Sequence, residues 1–371
     1  MLKISGLSII SLFAHVGAFY YDEKKINCYF GSWAVVRTEQ PLELELIDPQ
    51  LCTHLSCVHF DVASDGTLEA YKNPNDDNLV ASKRAMTLKS KNPQLKVIAV
   101  VGGPNTNFIA IATNRTKQAI FKYTTLRVLT KYGFDGLDLF WPSLGVATEK
   151  EMKSIAKFLI SMKYGMKAFN LTLGASLNGE VNDIQSWSKM PNIYLNYELD
   201  YINVMAYNFS TTIYHAPLYG NTNNTVENSM QVLSQNLVSA SARLLLGVAF
   251  IGQAYQVSKG GYGRSNVVTL NARSFKRYVR YLDMCTEEQT NDIYYADEFG
   301  ATFIKSRLSW TSYESVKTVV MKAEYAQELG LGGIAIWLLD DDDFLGRCGQ
   351  RYPLLRAIHK TMNGPKDYDK L

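Results

Sequence analysis

The feature that most constrains the fold is a recurrence of short apolar runs, rich in β-branched residues, along the chain. There are eight: Ile26–Phe30, Leu55–Phe60, Val97–Val101, Phe134–Leu139, Leu171–Ser176, Tyr201–Met205, Leu244–Phe250 and Ile334–Leu338. Longer stretches with helical periodicity separate most of them, for example Lys117–Tyr132, Glu149–Met162 and Val226–Asn236. This alternation is typical of parallel strands joined by helices. It predicts an α/β fold closed into a (β/α)8 TIM barrel, with an open doubly wound sheet as the alternative.

One interval breaks the regular spacing. The seventh and eighth runs are separated by a long, polar, Tyr-rich stretch, and barrels carry their insertions in loops at one rim. We therefore expect a small α+β insertion subdomain at 255–325. The segment Gly260–Gly263 is not expected to be a phosphate-binding loop, because no strand-turn-helix pattern surrounds it.

The first residues have the pattern of a secretory signal peptide. A cationic start at Lys3 precedes an apolar stretch, Ile4–Phe13, and small residues follow at Val16–Ala18. The alternatives are a membrane anchor or a buried first helix, but the apolar run is shorter than the roughly 20 residues that a membrane span needs. We expect residues 1–18 to be removed and residues 19–371 to form a secreted barrel.

Charge composition argues against a polyanionic partner. Lys and Arg number 38 and Asp and Glu 35, a formal net charge of +3, and no long basic run is present. Phosphate binding needs Lys and Arg clustered on one face. We expect neither a nucleic acid nor a membrane as partner, and no cofactor.

Secretion would favour disulfide formation and N-glycosylation. The five cysteines are an odd number, so one thiol should be left over. Asn-x-Ser/Thr sequons begin at Asn114, Asn170, Asn208 and Asn223. Asn170 and Asn208 fall in strand-like runs, so Asn114 and Asn223 are the expected glycosylation sites.

The most informative motif is Gly-Phe-Asp-Gly-Leu-Asp-Leu-Phe-Trp-Pro at 133–142, at the end of the fourth run. It resembles the fourth strand of the chitinases of glycoside hydrolase family 18, which reads Gly-Phe-Asp-Gly-x-Asp-x-Asp-x-Glu. Further matches occur in the family's order: Cys28-Tyr-Phe30 with Trp33, Leu51–His54, Gly102-Gly103, Met205-Ala-Tyr207, His215–Tyr219, Gly332–Trp337 and Asp342-Asp-Phe344. The resemblance thus spans nearly the whole mature chain.

The resemblance implies that catalytic groups have been lost. Alternate strand residues share a face, so positions 138, 140 and 142 should point into the barrel mouth. In the family this face carries an Asp that gives electrostatic support, an Asp that orients the substrate's own N-acetyl group, and a Glu that acts as general acid. Here Asp135 and Asp138 remain as remnants of the motif, but Phe140 and Pro142 replace the second Asp and the Glu. An alignment shifted by two residues removes the acid by deletion instead. Either way we expect no enzymatic activity.

The same resemblance implies a set of sugar-contacting positions. Trp337 matches the Trp beneath the central sugar, although it could also be a barrel core residue, and Tyr207 matches the Tyr that binds the N-acetyl group. Asn208, Pro104 and Gln253 stand where the family has Asp, Trp and Arg, and each subtracts a sugar contact. The expected sugar-binding residues are Tyr29, Asp138, Met205, Tyr207, Asn208 and Trp337.

Structural roles follow from the resemblance as well. It implies disulfides Cys28–Cys52 and Cys285–Cys348, which leaves Cys57 as a buried free thiol. His54 and His215 are expected to form structural hydrogen bonds. The acids Asp340–Asp343 are expected to cap a loop and not to hold a metal ion, since one short run seldom completes a calcium shell.

These observations predict a secreted, catalytically inactive, chitinase-like glycoprotein that binds chitin or chito-oligosaccharide, similar to the family's lectin-like and growth-factor-like members. One alternative is a signalling or host-interaction protein that binds a cell-surface receptor and no sugar. Another is an active chitinase with a rewired general acid.

Overall fold

The structure is a computed structural model of the whole chain. It describes residues 24–70, 72–73, 76–102, 108–142, 144–187, 198–209, 212–236, 241–256, 276–306 and 309–364. The expected signal peptide, Pro104 and Gly260–Gly263 lie outside these ranges.

Eight parallel strands form a closed barrel, so the open sheet considered above is excluded. In chain order the strands of the described residues are β1 Lys25–Gly31, β2 His54–Val62, β3 Leu68–Ala70, β4 Lys72–Asn73, β5 Asp76–Asp77, β6 Lys96–Gly102, β7 Gly136–Phe140, β8 Thr172–Asn178, β9 Tyr201–Met205, β10 Leu244–Ala249, β11 Ile251–Gln256, β12 Lys276–Arg280, β13 Ile293–Ala296, β14 Ala301–Lys305, β15 Ser309–Tyr313 and β16 Gly333–Trp337. The barrel runs β1, β2, β6, β7, β8, β9, β10 and β16, and β1 pairs in parallel with both β2 and β16.

The barrel closes at a glycine. Gly333 begins β16 opposite Lys25 of β1, and a Cβ at Gly333 would lie 1.9 Å from the Lys25 carbonyl oxygen. Its φ of +152° is also a backbone conformation that residues with a side chain rarely adopt. The two strands can therefore pair at this point only because residue 333 lacks a side chain.

In the described part of the chain the helices are α1 Ser32–Val35, α2 Asn78–Met86, α3 Phe108–Ala112, α4 Arg115–Tyr132, α5 Glu149–Lys167, α6 Val181–Trp187, α7 Val226–Asn236, α8 Tyr281–Glu288, α9 Val316–Glu328 and α10 Pro353–Asn363. Apart from α8, which belongs to the insertion, they pack around the barrel. Asn114 caps α4 by accepting a hydrogen bond from the Lys117 amide, which is why this helix begins before the expected Lys117. Gly133, with a left-handed backbone, ends α4, so Phe134 and Asp135 connect the helix to β7 and do not belong to the strand.

Between β10 and β16 the chain forms a five-stranded antiparallel sheet in the order β12, β11, β15, β14, β13. Helix α8 connects two of its strands. The sequence placed this insertion at 255–325, whereas the strands of the sheet run from Ile251 to Tyr313. Helix α9 follows and packs against the barrel strand β16.

Two buried clusters fill the barrel. The larger lies between the strands and the helices, and the smaller occupies the lumen, where it consists of Tyr29, Val58, Val100, Tyr201, Leu245, Ala335 and Leu338. Trp33, Phe140 and Trp337 pack on the smaller cluster from the mouth. The apolar lumen cluster thus forms the base on which the candidate site is built.

Candidate functional site

Asp138 sits at the centre of a polar network inside the barrel. The strand alternation of β7 turns Asp138 and Phe140 inward, while Leu137 and Leu139 join the outer core. The Tyr29 hydroxyl donates to Asp138 Oδ2 at 2.6 Å, and the Ser176 hydroxyl donates to Oδ1 at 3.0 Å. The carboxylate is fully buried and held by fixed partners.

Residues of two further strands, β2 and β9, and a second residue of β1 complete this network. Asn27 Nδ2 donates to the Tyr29 hydroxyl at 3.1 Å, and Asn203 Nδ2 donates to the Ser176 hydroxyl at 3.2 Å. The Ser56 hydroxyl donates to Asn27 Oδ1 at 2.7 Å. Sequence reasoning missed Asn27, Ser56, Ser176 and Asn203, although each is a polar residue in an apolar strand, which is a signal for a lumen-facing hydrogen bond.

Burial raises the pKa of Asp138 above its usual value, and the hydrogen bonds from the Tyr29 and Ser176 hydroxyls oppose this shift. Burial also raises the pKa of Tyr29 well above its usual value, and the nearby charge of Asp138 adds to the effect. Tyr29 therefore stays protonated and donates to Asp138.

Asp135 does not reach this site. It lies before β7, at the opposite end of the barrel, where Lys89 Nζ donates to its carboxylate at 2.7 and 2.8 Å. The Val97 amide donates to it as well, at 2.8 Å. Asp135, the first Asp of the motif, thus ties the start of β7 to β6 and lies outside the candidate site.

Phe140 covers the residue expected to lie beneath a sugar. Its ring is parallel to that of Trp337, with the centroids 5.2 Å apart and the planes 13° apart. Tyr29 also contacts Trp337, with centroids 5.7 Å apart and a 45° tilt. Trp337 is half-buried between these two rings and the lumen cluster, and Pro142 lies two residues beyond the end of β7.

Tyr207 brings an unpaired hydroxyl to the mouth. It follows β9, and the oxygen is buried with no hydrogen-bond partner among the described residues. Burial raises its pKa strongly, and the charge of Asp138 raises it further. His215 stacks on the same ring, with centroids 6.4 Å apart, and Met205 lies buried at the end of β9. The Tyr207 hydroxyl is thus a polar group at the mouth that a ligand could satisfy.

Two replaced family positions contact each other. Gln253 Nε2 of β11 donates to Asn208 Oδ1 at 2.5 Å, and the Tyr278 hydroxyl donates to the same oxygen at 3.0 Å. The Tyr255 hydroxyl donates to Gln253 Oε1 at 2.6 Å. An amide pair thus stands where the resembled family has an Asp and an Arg, and it joins the barrel rim to the insertion sheet.

Tyr278 extends the mouth on the insertion side. It lies on β12 opposite Gln253, and 53% of its surface is exposed. Nothing in the sequence distinguished it from the other tyrosines of the Tyr-rich insertion, because only the pairing of β11 with β12 brings it to Asn208. It adds an exposed aromatic ring beside the groove.

The acids after β16 serve as backbone acceptors. Asp342 accepts from the Leu354 and Leu355 amides at 3.4 and 3.0 Å, and Asp343 accepts from the Arg347 and Cys348 amides at 3.0 and 2.8 Å. Asp343 also lies close to the sulfurs of Cys285 and Cys348, but these two sulfurs are bonded to each other and cannot act as thiolate ligands.

Both expected disulfides are present, Cys28–Cys52 and Cys285–Cys348. The first ties β1 to the start of β2, and the second ties α8 of the insertion to the segment after β16. Cys57 is a buried free thiol, and burial raises its pKa to about 12.

The sequons differ in their surroundings. Asn114 and Asn223 are exposed in loops or caps, as a glycosylation site requires. Asn170 is exposed too, because it lies before β8 with a left-handed backbone; placing it within a strand was wrong. Asn208 is held by Gln253 and Tyr278. We retain Asn114 and Asn223 as predicted sites.

Among the described residues, no helix is both long and apolar enough to cross a membrane.

Comparison with known proteins identifies the family. Residues 25–342 match the family described as Glycosyl hydrolases family 18. Chitotriosidase-1 of Mus musculus is 28% identical to this chain, and the match covers 92% of this chain and 79% of that protein. Chitinase-like protein Idgf1 of Drosophila melanogaster is 26% identical, and the match covers 98% of this chain and 99% of that protein. The crystal structure of a Group IV chitinase of Ostrinia furnacalis superposes with a TM-score of 0.81 and 26% identity, covering 92% of this chain and all of that one. A closed eight-stranded barrel with these matches shows that the chain belongs to glycosyl hydrolase family 18.

Proposed function

We propose that the protein is a secreted, glycosylated, chitinase-like protein that binds chitin or chito-oligosaccharide at the carboxyl ends of the barrel strands and does not hydrolyse it. The observation that carries the proposal is the pair Asp138 and Phe140 on β7. The strand places both side chains at the lumen, but only the first can take part in acid–base chemistry.

The loss of hydrolysis follows from what a general acid must do. A proton donor has to lie within hydrogen-bond reach of the leaving oxygen, and its loss costs roughly 10²- to 10⁴-fold in rate. Asp138 is fully buried and engaged by Tyr29 and Ser176. Neither Phe140 nor Pro142 can donate a proton, so the strand that carries the family's acids supplies no replacement.

Sugar binding is supported by the groups left at the mouth. The Tyr207 hydroxyl is buried without a partner in the described part of the chain, and an unpaired buried hydroxyl is unfavourable until a ligand satisfies it. Trp337 and the exposed Tyr278 offer aromatic surface of the kind that packs on sugar rings. The similarity to Chitotriosidase-1 and to Chitinase-like protein Idgf1 supports the same ligand class.

One paired experiment tests the proposal on a single glycosylated preparation. Binding of chito-oligosaccharide is measured by calorimetry, and hydrolysis is measured with a fluorogenic chitobioside. We expect saturable binding without turnover. Binding that is weakened by Tyr207→Phe, which removes only the hydroxyl, would locate the ligand at the mouth. Turnover that disappears in Asp138→Ala would overturn the proposal.

If turnover appeared, Asp183 would be the first residue to replace. It lies on α6 just after β8, accepts a hydrogen bond from Asn178, and its pKa is raised by partial burial. A general acid that replaced the family's Glu would need a position at the carboxyl end of a barrel strand and a raised pKa, as Asp183 has.

A second candidate function is favoured by the stacking of Phe140 on Trp337. If Phe140 stays in place, the central sugar position remains closed, and the barrel would act through contacts with another protein, such as a cell-surface receptor. This candidate predicts no calorimetric signal and no change in tryptophan fluorescence with any chito-oligosaccharide.

A further inference from the structure

The formal charge of +3 conceals a strong asymmetry. Residues 78–167 contain 15 Lys and Arg residues but only four Asp and Glu residues. The remainder of the chain contains 23 Lys and Arg residues and 31 Asp and Glu residues. Helices α2, α4 and α5 all fall in this segment. The positive charge is therefore concentrated on neighbouring helices at one side of the barrel.

Helix α4 contains five cations and no acid. Its exposed side chains include Arg115, Tyr123, Arg127 and Lys131, and the last three follow at intervals of four residues and form a row on the outer surface. Arg115, at the start of the helix, lies about 24 Å along the axis from Lys131. In sequence these cations are separated by uncharged residues, which is why no basic run is visible.

Helix α5 provides a second row beside the first. Its exposed side chains include Lys150, Lys157, Tyr164 and Lys167. The two helices pack together: the rings of Phe121 and Phe158 lie 5.7 Å apart. Packed helices have axes about 8–10 Å apart, so the two rows run side by side.

Six of these cations have no anionic partner among the residues that the structure describes. We define the cationic face as Arg115, Arg127, Lys131, Lys150, Lys157 and Lys167, and no carboxylate in the described part of the chain lies within 4.0 Å of their charged nitrogens. Lys131 and Lys83 of α2 both approach the ring of Tyr132, with Nζ 5.0 and 5.3 Å from its centroid. Their like charges therefore lie within about 10 Å of each other, so an anion placed between or above them would be attracted by both.

Two exposed tyrosines interrupt the rows. Tyr123 is 65% exposed and Tyr164 is 74% exposed. Their rings offer flat surfaces that pack on pyranose faces, and their hydroxyls can hydrogen-bond sugar hydroxyls. A membrane-binding face would instead carry a cluster of large aliphatic or Phe and Trp side chains. The exposed apolar residues of this segment, Val80, Val146 and Phe169, come from separate elements: α2, the turn before α5 and the segment after α5.

We propose that the cationic face binds a linear acidic polysaccharide, with sulfate or carboxylate groups along the two rows and sugar rings on Tyr123 and Tyr164. The face lies on the outer surface of the helices, away from the mouth, so this binding is independent of the chito-oligosaccharide site. It gives the protein a second, electrostatic mode of attachment to a glycan-rich surface.

The experiment uses the full chain on immobilised heparin, as a sulfated polysaccharide, at 0.15 M salt. We expect binding that weakens as salt rises, and that neutral chito-oligosaccharide does not displace. Reversing two charges, Arg127→Glu with Lys157→Glu, should lower the affinity at least tenfold. The matched control Arg351→Glu with Lys360→Glu, exposed cations outside this segment of the chain, should change it less than twofold.

Three results would overturn the proposal: no retention of the wild-type protein, equal losses in the two charge-reversal variants, or tighter binding to a DNA duplex or to anionic phosphatidylserine vesicles than to heparin. Tyr164→Ala tests the sugar-stacking element separately. Weaker heparin binding in this variant supports a polysaccharide, and unchanged binding contradicts it. Circular dichroism of each variant confirms that the fold is retained.

Discussion

The rings of Phe140 and Trp337 lie stacked at the mouth of the barrel, with their centroids 5.2 Å apart. The resemblance of the sequence to the family implies that Phe140 stands where the fourth-strand motif has an acid and that Trp337 matches the aromatic residue of the eighth strand. The replacement therefore removes a chemical group and also covers part of the surface on which a sugar would pack.

Phe140→Ala should raise the affinity for chito-oligosaccharide, because it exposes the covered face of Trp337. We expect a gain of tenfold or more, which corresponds to about 1.4 kcal/mol. Calorimetric titration measures it, and Phe169→Ala, at an exposed position on the outer surface, serves as the control. Unchanged or weaker binding would show that Phe140 does not obstruct the site.

The buried ion pair of Lys322 and Glu314 should be sensitive to the loss of one partner. Lys322 Nζ also donates to the Ala216 carbonyl oxygen at 2.7 Å, so it joins α9 to the loop after β9. Lys322→Met leaves a buried carboxylate unpaired and should lower the free energy of unfolding by about 3–5 kcal/mol. Urea denaturation measures this change.

Two further variants make this prediction specific. Lys322→Met combined with Glu314→Gln removes both charges and should recover much of the loss. Lys317 lies on the same helix as Lys322 and forms an exposed ion pair with Asp297. Lys317→Met should lower the free energy of unfolding by less than about 1 kcal/mol. If Lys322→Met were no more harmful than Lys317→Met, burial would not govern this pair.

His54 should make the protein less stable in acid. Burial lowers its pKa to about 4, and the charges of Lys25 and Lys96 add to the effect. Between that value and the ordinary value near 6.5, the unfolded chain binds the extra proton, so stability falls as the pH falls. The slope contributed by one proton is at most about 1.4 kcal/mol per pH unit.

Comparison with His54→Gln tests this expectation. The variant should lose stability less steeply than the wild type in urea unfolding between pH 6.5 and 4.5. His359→Gln, a histidine on α10, is the control and should keep the wild-type slope. Parallel curves for the wild type and His54→Gln would rule out His54 as the titrating group.

Cys57 should be inert in the folded protein, because its thiol is buried and its pKa is raised to about 12. A thiol-specific reagent should detect no thiol in the native state and one after denaturation without reductant. Cys57→Ser should give none in either state. Reaction of the native protein would contradict the buried position, and more than one thiol after denaturation would contradict the two disulfides.

The sequence was sufficient to predict the barrel, because the periodicity of apolar residues reports directly on strands and helices. It was less accurate at boundaries: Phe134 and Leu171 are apolar residues next to a strand, and hydrophobicity alone cannot distinguish them from strand members. The inward orientation of Asp138 and Phe140 followed from strand alternation. The contact of Asp135 with Lys89 at the opposite end of the barrel could not be predicted in this way, because the two residues are distant in sequence.

Contacts between residues that are far apart in the chain could not be predicted from the sequence. The stacking of Phe140 on Trp337 joins two strands far apart in sequence, and so does the hydrogen bond between Asn208 and Gln253. Each residue was recognised as a departure from the family pattern, but only the fold shows that the departures meet. Net charge did not reveal the cationic face for a related reason, because a sum over the chain discards the spatial separation of positive and negative residues.

The hydrogen bond between Asn208 and Gln253 affects how the shape of the groove depends on pH and salt concentration. Two carboxamides carry no charge, so neither acidification nor high ionic strength weakens their attraction as it would weaken that of an acid and a guanidinium. This contact between the barrel rim and the insertion should therefore persist at high salt concentration and at low pH.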